Sequence, residues 1–174
     1  MEQYTIPVIK RHPTGCKYDI YPSFRIEEDR IFAGFELLAE RISDNRIILI
    51  DGYAGVFFNE IRDAITGFLK RKGLTSSWIS TADLFRSEEE ILEMTKPFLG
   101  GDDPLFGKRT TLTLSDYFRR EAPVSVTSDP SVDCNFVIGP GASLFPWQGL
   151  LLYADVPKNE LQRRARRGLI TNLP

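Results

Sequence analysis

The chain has little of what metal and redox centres are made from: one histidine and two cysteines in 174 residues. A metal centre needs several His, Cys or carboxylate donors converging on one point. His12, alone between Arg11 and Pro13, is a poor start for one, and no metal is expected. Cys16 and Cys134 lie far apart and fit neither a disulfide framework nor a CxxC site, so they read as reduced, mostly buried thiols of a cytosolic protein. No apolar run approaches the roughly 20 residues that span a bilayer. Met1-Glu2-Gln3-Tyr4 lacks the basic segment and apolar stretch of a signal peptide. The chain is therefore expected in the cytoplasm, away from membranes. An excess of either charge is also missing: 22 Lys and Arg face 24 Asp and Glu. That balance argues against a nucleic-acid partner, which selects for a clear basic excess.

What is present suffices for one domain with a real core, since 42% of the residues are hydrophobic. Residues 1–25 read as an extended lead-in punctuated by Pro7, Pro13, Gly15 and Pro22, and residues 26–174 as a single domain. Ile31, Phe32, Phe35, Leu38 and Ile42 recur at helical spacing. Arg46 to Ile50 is a run rich in β-branched isoleucine, typical of a strand buried on both faces. It ends in Asp51-Gly52-Tyr53-Ala54-Gly55, and an amphipathic helix follows from about Val56 to Lys72, with Gly73 as its cap. Trp78-Ile79-Ser80, Asn135 to Ile138 and Leu150 to Ala154 read as further buried strands. Ser87 before Glu88-Glu89-Glu90 marks a helix start, Ser115 to Phe118 a short helix, and Lys158 to Arg167 a basic helix ended by Gly168. Strands alternating with helices predict an α/β fold, a three-layer αβα sandwich around a mostly parallel sheet. Any site should lie at the carboxyl ends of the strands.

Four segments there carry candidate chemistry. The turn Asp51 to Val56 joins a buried strand to a helix and aims backbone N–H groups at one point, through Gly52 and Gly55. A working phosphate loop, GxxxxGK[ST], also needs a lysine for the phosphates and a hydroxyl for magnesium. Val56 and Phe57 stand in those places, so the turn is either a tight strand–helix connection or a residual anion site. Gly139-Pro140-Gly141-Ala142 is a second glycine turn, read as lacking a ligand because Phe145-Pro146-Trp147 argues against a helix after it. The segment Asp102 to Arg109 gathers Asp103, Lys108 and Arg109 in a turn-rich loop, suited either to a polar or phosphorylated ligand or to solvated ion pairs. Arg163, Arg164, Arg166 and Arg167 share one helix just after Asp155; their repulsion must be offset by a bound anion or by Glu160. Asp83, just after the second strand, is a weaker candidate for a general base than for a cap or a surface group.

In their order along the chain these segments resemble a known family. Leu152 to Lys158 followed by Arg163 to Gly168 looks like the last strand and arginine-bearing lid helix of nucleoside and nucleotide kinases. Ile50 to Val56, Asp103 to Arg109, Gly139 to Ala142 and Pro157 to Gln162, after a lead-in like Tyr18 to Pro22, are similar to the N-terminal, kinase-like region of bacterial class I mannose-6-phosphate isomerases. The resemblance implies a P-loop NTPase/kinase-like fold with a degenerate phosphate loop, in the N-terminal part of a longer protein. A C-terminal cupin-type isomerase domain would hold the isomerase's metal and active site outside this chain. It implies a non-catalytic or regulatory module, with a nucleotide or other phosphorylated ligand as the candidate occupant. Its ligand contacts would come from Gly52, Gly55, Lys108, Arg109 and the four arginines, with Asp51, Asp83, Asp103 and Asp155 as polar contacts. Two other readings compete: an active kinase in which Lys108 or an arginine replaces the missing lysine, and an interaction module docking through Phe57, Phe58, Phe145 and Trp147.

Overall fold

The computed structural model describes residues 27, 28, 30–101, 107–122 and 126–171. The chain divides into two compact units, residues 1–32 and 33–174. The lead-in at residues 1–25 and the Asp102 to Phe106 part of the cationic loop, including Asp103, lie outside the described residues. In the first unit, Arg30 and Glu27 form an exposed ion pair at 2.9 Å.

The second unit is an α/β fold. Among the described residues its four strands are β1 (Ile47–Gly52), β2 (Ser76–Ser80), β3 (Cys134–Ile138) and β4 (Leu150–Ala154). They pair in the order β2-β3-β1-β4, and every pairing is parallel. The central strands β1 and β3 are the β-branched and aromatic runs, buried on both faces as two-sided coverage requires.

One face is covered by two helices, α1 (Phe35–Ile42) and α2 (Phe58–Arg71). Ala39, Ile42, Ile65, Phe68 and Leu69 pack there on Ile48, Ile50, Phe136 and Ile138. Trp78 of β2 stacks on Phe136 with ring centroids 3.9 Å apart, which closes that layer at the sheet's edge. The other face is covered by short turns: Phe85, Phe118, Ala142 and Phe145 pack on Leu49 and Val137, with Ile91 of α3 (Glu88–Thr95) at the margin.

Helix ends follow their local chemistry. α3 opens with a full capping box between Ser87 and Glu90. α2 closes through Gly73 at φ +72°, where Leu74 N–H donates to the Leu69 carbonyl and Gly73 N–H to that of Lys70. That is the Schellman pattern, and it requires the left-handed residue that glycine supplies. The expected first helix is shorter than its periodicity suggested: Gly34 at φ +97° stops it at Phe35, leaving Ile31 and Phe32 outside it and exposed. The last strand also departs from expectation. Among the described residues β4 is an edge strand, and Leu151 and Tyr153 remain 53% and 67% exposed on the face shared with Leu49 and Asp51. No helix among the described residues is long and apolar enough to cross a membrane.

Candidate functional site

At the carboxyl ends of β1, β2 and β3 lies a cavity of about 510 Å³. Its walls come from the turn after β1, the first turn of α2, Ser80 to Ala82, Gly139-Pro140 and the segment Gly168 to Thr171. This is where parallel sheets place their sites, because each strand ends there in a loop free to vary.

Asp51, the last side chain of β1, is buried and does not itself line the cavity. Its carboxylate accepts hydrogen bonds from the backbone N–H groups of Gly52 (2.7 Å), Gly141 (2.8 Å) and Ser143 (3.0 Å), and from the Ser143 hydroxyl. Gly141, at φ +81°, opens a single 3-10 turn, Ala142–Leu144, which aims these donors back at β1. The second glycine turn therefore does cradle an anion, and that anion is the Asp51 carboxylate itself. Sequence reasoning placed Asp51 at a ligand and missed this role. The available signal was an aspartate at a strand's end and a Gly-x-Gly-x-Ser turn at the end of another strand.

The turn after β1 is held from the other side. α4 (Lys158–Arg166) follows β4, and its Arg164 lies only 15% exposed. Its Nη1 donates to the Gly55 carbonyl at 2.6 Å, and its guanidinium stacks over Phe57 at 3.8 Å from the ring centroid. Its Nε donates to Glu160 at 2.9 Å, and Glu160 also receives two bonds from Arg163, at 2.5 and 2.6 Å. The hydrogen bonds from Arg163, then those from Arg164, hold the Glu160 carboxyl down at about 2, and the same pairing raises Arg163. Of the two offsets expected for the arginine cluster, the structure supplies the internal one for this pair.

α4 ends in a second Schellman turn: Leu169 N–H donates to the Arg164 carbonyl and Gly168, at φ +66°, to that of Ala165. The chain then turns back along the cavity. Gly55 has φ +99°, which favours glycine, and a Cβ there would lie 2.6 Å from a Leu161 methyl and 2.8 Å from an Ile170 methyl, so both of these side chains would have to shift.

The remaining candidates are dispersed. Gly55 lines the cavity, whereas Gly52 is buried against Ala154. Lys108 and Arg109 are exposed on the segment 107–113 and line no part of the cavity, nor do Arg163, Arg166 and Arg167. Asp83 is exposed, its carbonyl accepting from Arg119, and Asp155 accepts from Val156 N–H at 2.8 Å. Of the four aromatic residues expected to dock a partner, Phe145 is buried and Phe57 lies beneath Arg164, while Phe58 and Trp147 are half-buried. No group of three or more His, Cys, Asp or Glu among the described residues is placed to hold a metal.

Fold and site define an α/β protein whose parallel-sheet cavity is walled by backbone turns and apolar side chains, with internal carboxylates seated in the donor clusters beside it. Over residues 34–174 the sequence matches the family described as a domain of unknown function, DUF8485, and the chain belongs to that family. No curated protein and no solved structure matches it.

Proposed function

We propose that this chain is a non-catalytic module on a kinase-like scaffold, acting in the cytoplasm as the support or regulator of a sugar-phosphate isomerase. The strand order β2-β3-β1-β4, with a glycine turn leading from β1 into a helix, supports the kinase-like reading. One observation carries the loss of chemistry: the groups that would meet a phosphate are engaged by the chain itself. Asp51 fills the donors of the second glycine turn, and Glu160 neutralises Arg163 and Arg164. Arg164 in turn is spent on the Gly55 carbonyl. Phosphoryl transfer works by positioning and by stabilising charge on the transferred group, so a loop without lysine or metal-holding hydroxyl supplies neither. The association with an isomerase rests on the motif order that resembles the N-terminal region of mannose-6-phosphate isomerases.

Incubation with magnesium and ATP across a panel of sugars and nucleosides is expected to consume no ATP above background. Turnover at ordinary kinase rates, about 1–100 per second, refutes the non-catalytic reading. The association is tested on the natural reading frame. An in-frame cupin-type domain is expected, with isomerase kinetics that change when residues 33–171 are deleted; a frame without such a domain refutes it.

A further inference from the structure

Sheets blunt their free edges with charged side chains, proline or a bulge, because unpaired backbone groups there are a template for another strand. β4 carries none of these devices. It reads Leu150-Leu151-Leu152-Tyr153-Ala154, with no charge, no proline and no break in its register against β1. β2, at the opposite edge, is more polar, with Ser76, Ser77 and Ser80 along it.

Strand parity fixes which groups of β4 are free. Tyr53 N–H donates to the Ala154 carbonyl, so Ala154, and with it Leu152 and Leu150, turn their backbone groups toward β1. Successive residues alternate, so the N–H and C=O of Leu151 and Tyr153 point away from the sheet. Among the described residues these groups have no partner. The same two residues carry the exposed side chains of β4, and Leu144, in the turn packed on that face of the sheet, is exposed as well.

We propose that β4 is a dimerisation edge: it pairs antiparallel with β4 of a second copy of this chain, about a two-fold axis at Leu152, and joins the two sheets into one. The strand is complementary to itself in this register. Leu151 falls opposite Tyr153 of the second copy, and Tyr153 opposite its Leu151. Both are hydrogen-bonded pairs, so every outward N–H and C=O of the strand is satisfied reciprocally. On each side of the axis an aliphatic side chain packs on an aromatic ring. Moving the axis to Leu151 or to Tyr153 would instead set Tyr153 opposite Gly149, or Leu151 opposite Asp155, outside the strand. Charge permits the pairing too: Asp155, the nearest charged residue in sequence, falls opposite Gly149, so no like charges meet. Two strands of 5 residues make an interface well short of the roughly 800 Å² per partner of stable complexes, so the dimer is weak, with a Kd of about 10–500 µM. No residue of β4 lines the cavity, so dimerisation and the non-catalytic reading stand or fall separately.

Sedimentation equilibrium of the full chain, with amide hydrogen exchange at matched concentrations, tests it. The mass is expected to rise from monomer toward dimer between about 10 µM and 1 mM, and the amides of Leu151 and Tyr153 to gain protection over the same range. A chain that stays monomeric to about 1 mM gives the edge to some other occupant and overturns the proposal. A dimer in which these two amides stay unprotected overturns it equally. Leu151→Lys combined with Tyr153→Lys sets like charges opposite each other in both pairs, and is expected to weaken dimerisation at least about tenfold. Leu151→Lys combined with Tyr153→Glu sets opposite charges there, and is expected to dimerise within the wild-type range at low salt. Both side chains are exposed, so thermal unfolding of either variant is expected to match the wild type at low concentration. Equal dimerisation of the two variants overturns the assigned register, and the wild-type measurements decide the interface without any variant.

Discussion

Replacing Arg164 by alanine is the sharpest perturbation this architecture offers. The side chain makes three contacts that alanine removes: the charged hydrogen bond to the Gly55 carbonyl at 2.6 Å, the stack on Phe57 and the pair with Glu160. A hydrogen bond to a charged group contributes about 1.5–3 kcal/mol, and a cation over an aromatic ring about 0.5–1 kcal/mol at an exposed site and more when desolvated. The pair with Glu160 adds little, because Glu160 keeps Arg163. The sum is about 2–4 kcal/mol, held between α4 and the turn after β1 rather than spread through the core. Two readouts follow. Global unfolding should lose only part of that sum, because α4 and its strap can detach while both core clusters persist. Hydrogen exchange should rise by more than tenfold at residues 53–58 and at 158–171 together, and remain unchanged in β3. Arg164→Lys keeps the charge but loses the planar fork, and should recover less than half of the protection. If Arg164→Ala leaves exchange at both segments as in the wild type, the clasp is not what holds the turn, and the reasoning fails.

Three further outcomes are expected. Asp51→Ala strands three N–H donors and a hydroxyl, so denaturant unfolding should show a loss of about 3 kcal/mol or more, with the amides of 141–143 the first to exchange. Gly139→Ala forces a Cβ to 2.1 Å from Thr81 at φ +127°, and about 2–4 kcal/mol should be lost in the same assay; a neutral result would contradict the packing described. Glu160 has its carboxyl lowered in the fold, so the unfolded chain binds its proton first as pH falls. Its stabilising contribution is complete above about 4.5 and disappears as pH falls toward about 2. Glu160→Gln should flatten that part of the stability–pH curve.

Much of this fold can be read from local residue patterns, because the information is local. Ile47 to Ile50 carries the pattern of a buried strand, Gly73 follows an amphipathic run as a C-terminal cap does, and Ser87 with Glu90 carries its own cap. The pairing of Glu160 with the arginines was also legible, since residues three and four apart share a helix face. What escaped depends on partners far along the chain. Asp51 beside Gly52 looks like a ligand contact until Gly141 and Ser143 arrive, and nothing near Arg164 in sequence indicates Gly55. The strand Leu150 to Ala154 is apolar throughout, so its position at the sheet's edge leaves no local trace. Hydrophobic spacing runs straight through Gly34, while its positive φ decides the helix start.

The bonds made by Asp51 also have a kinetic meaning. They join residues 90 and 92 positions apart, and the Arg164 clasp joins residues 109 apart. Closing such loops has an entropic cost that only an already assembled β1–β3 pair can offset. The turns at the strands' carboxyl ends should therefore lock after the folding barrier has been crossed. Asp51→Ala and Arg164→Ala would then leave the refolding limb of the chevron nearly unmoved and steepen neither arm, while raising the unfolding rate by almost the whole equilibrium loss. The carboxylate at the end of β1 would thus govern how long the folded protein persists, not how quickly it forms.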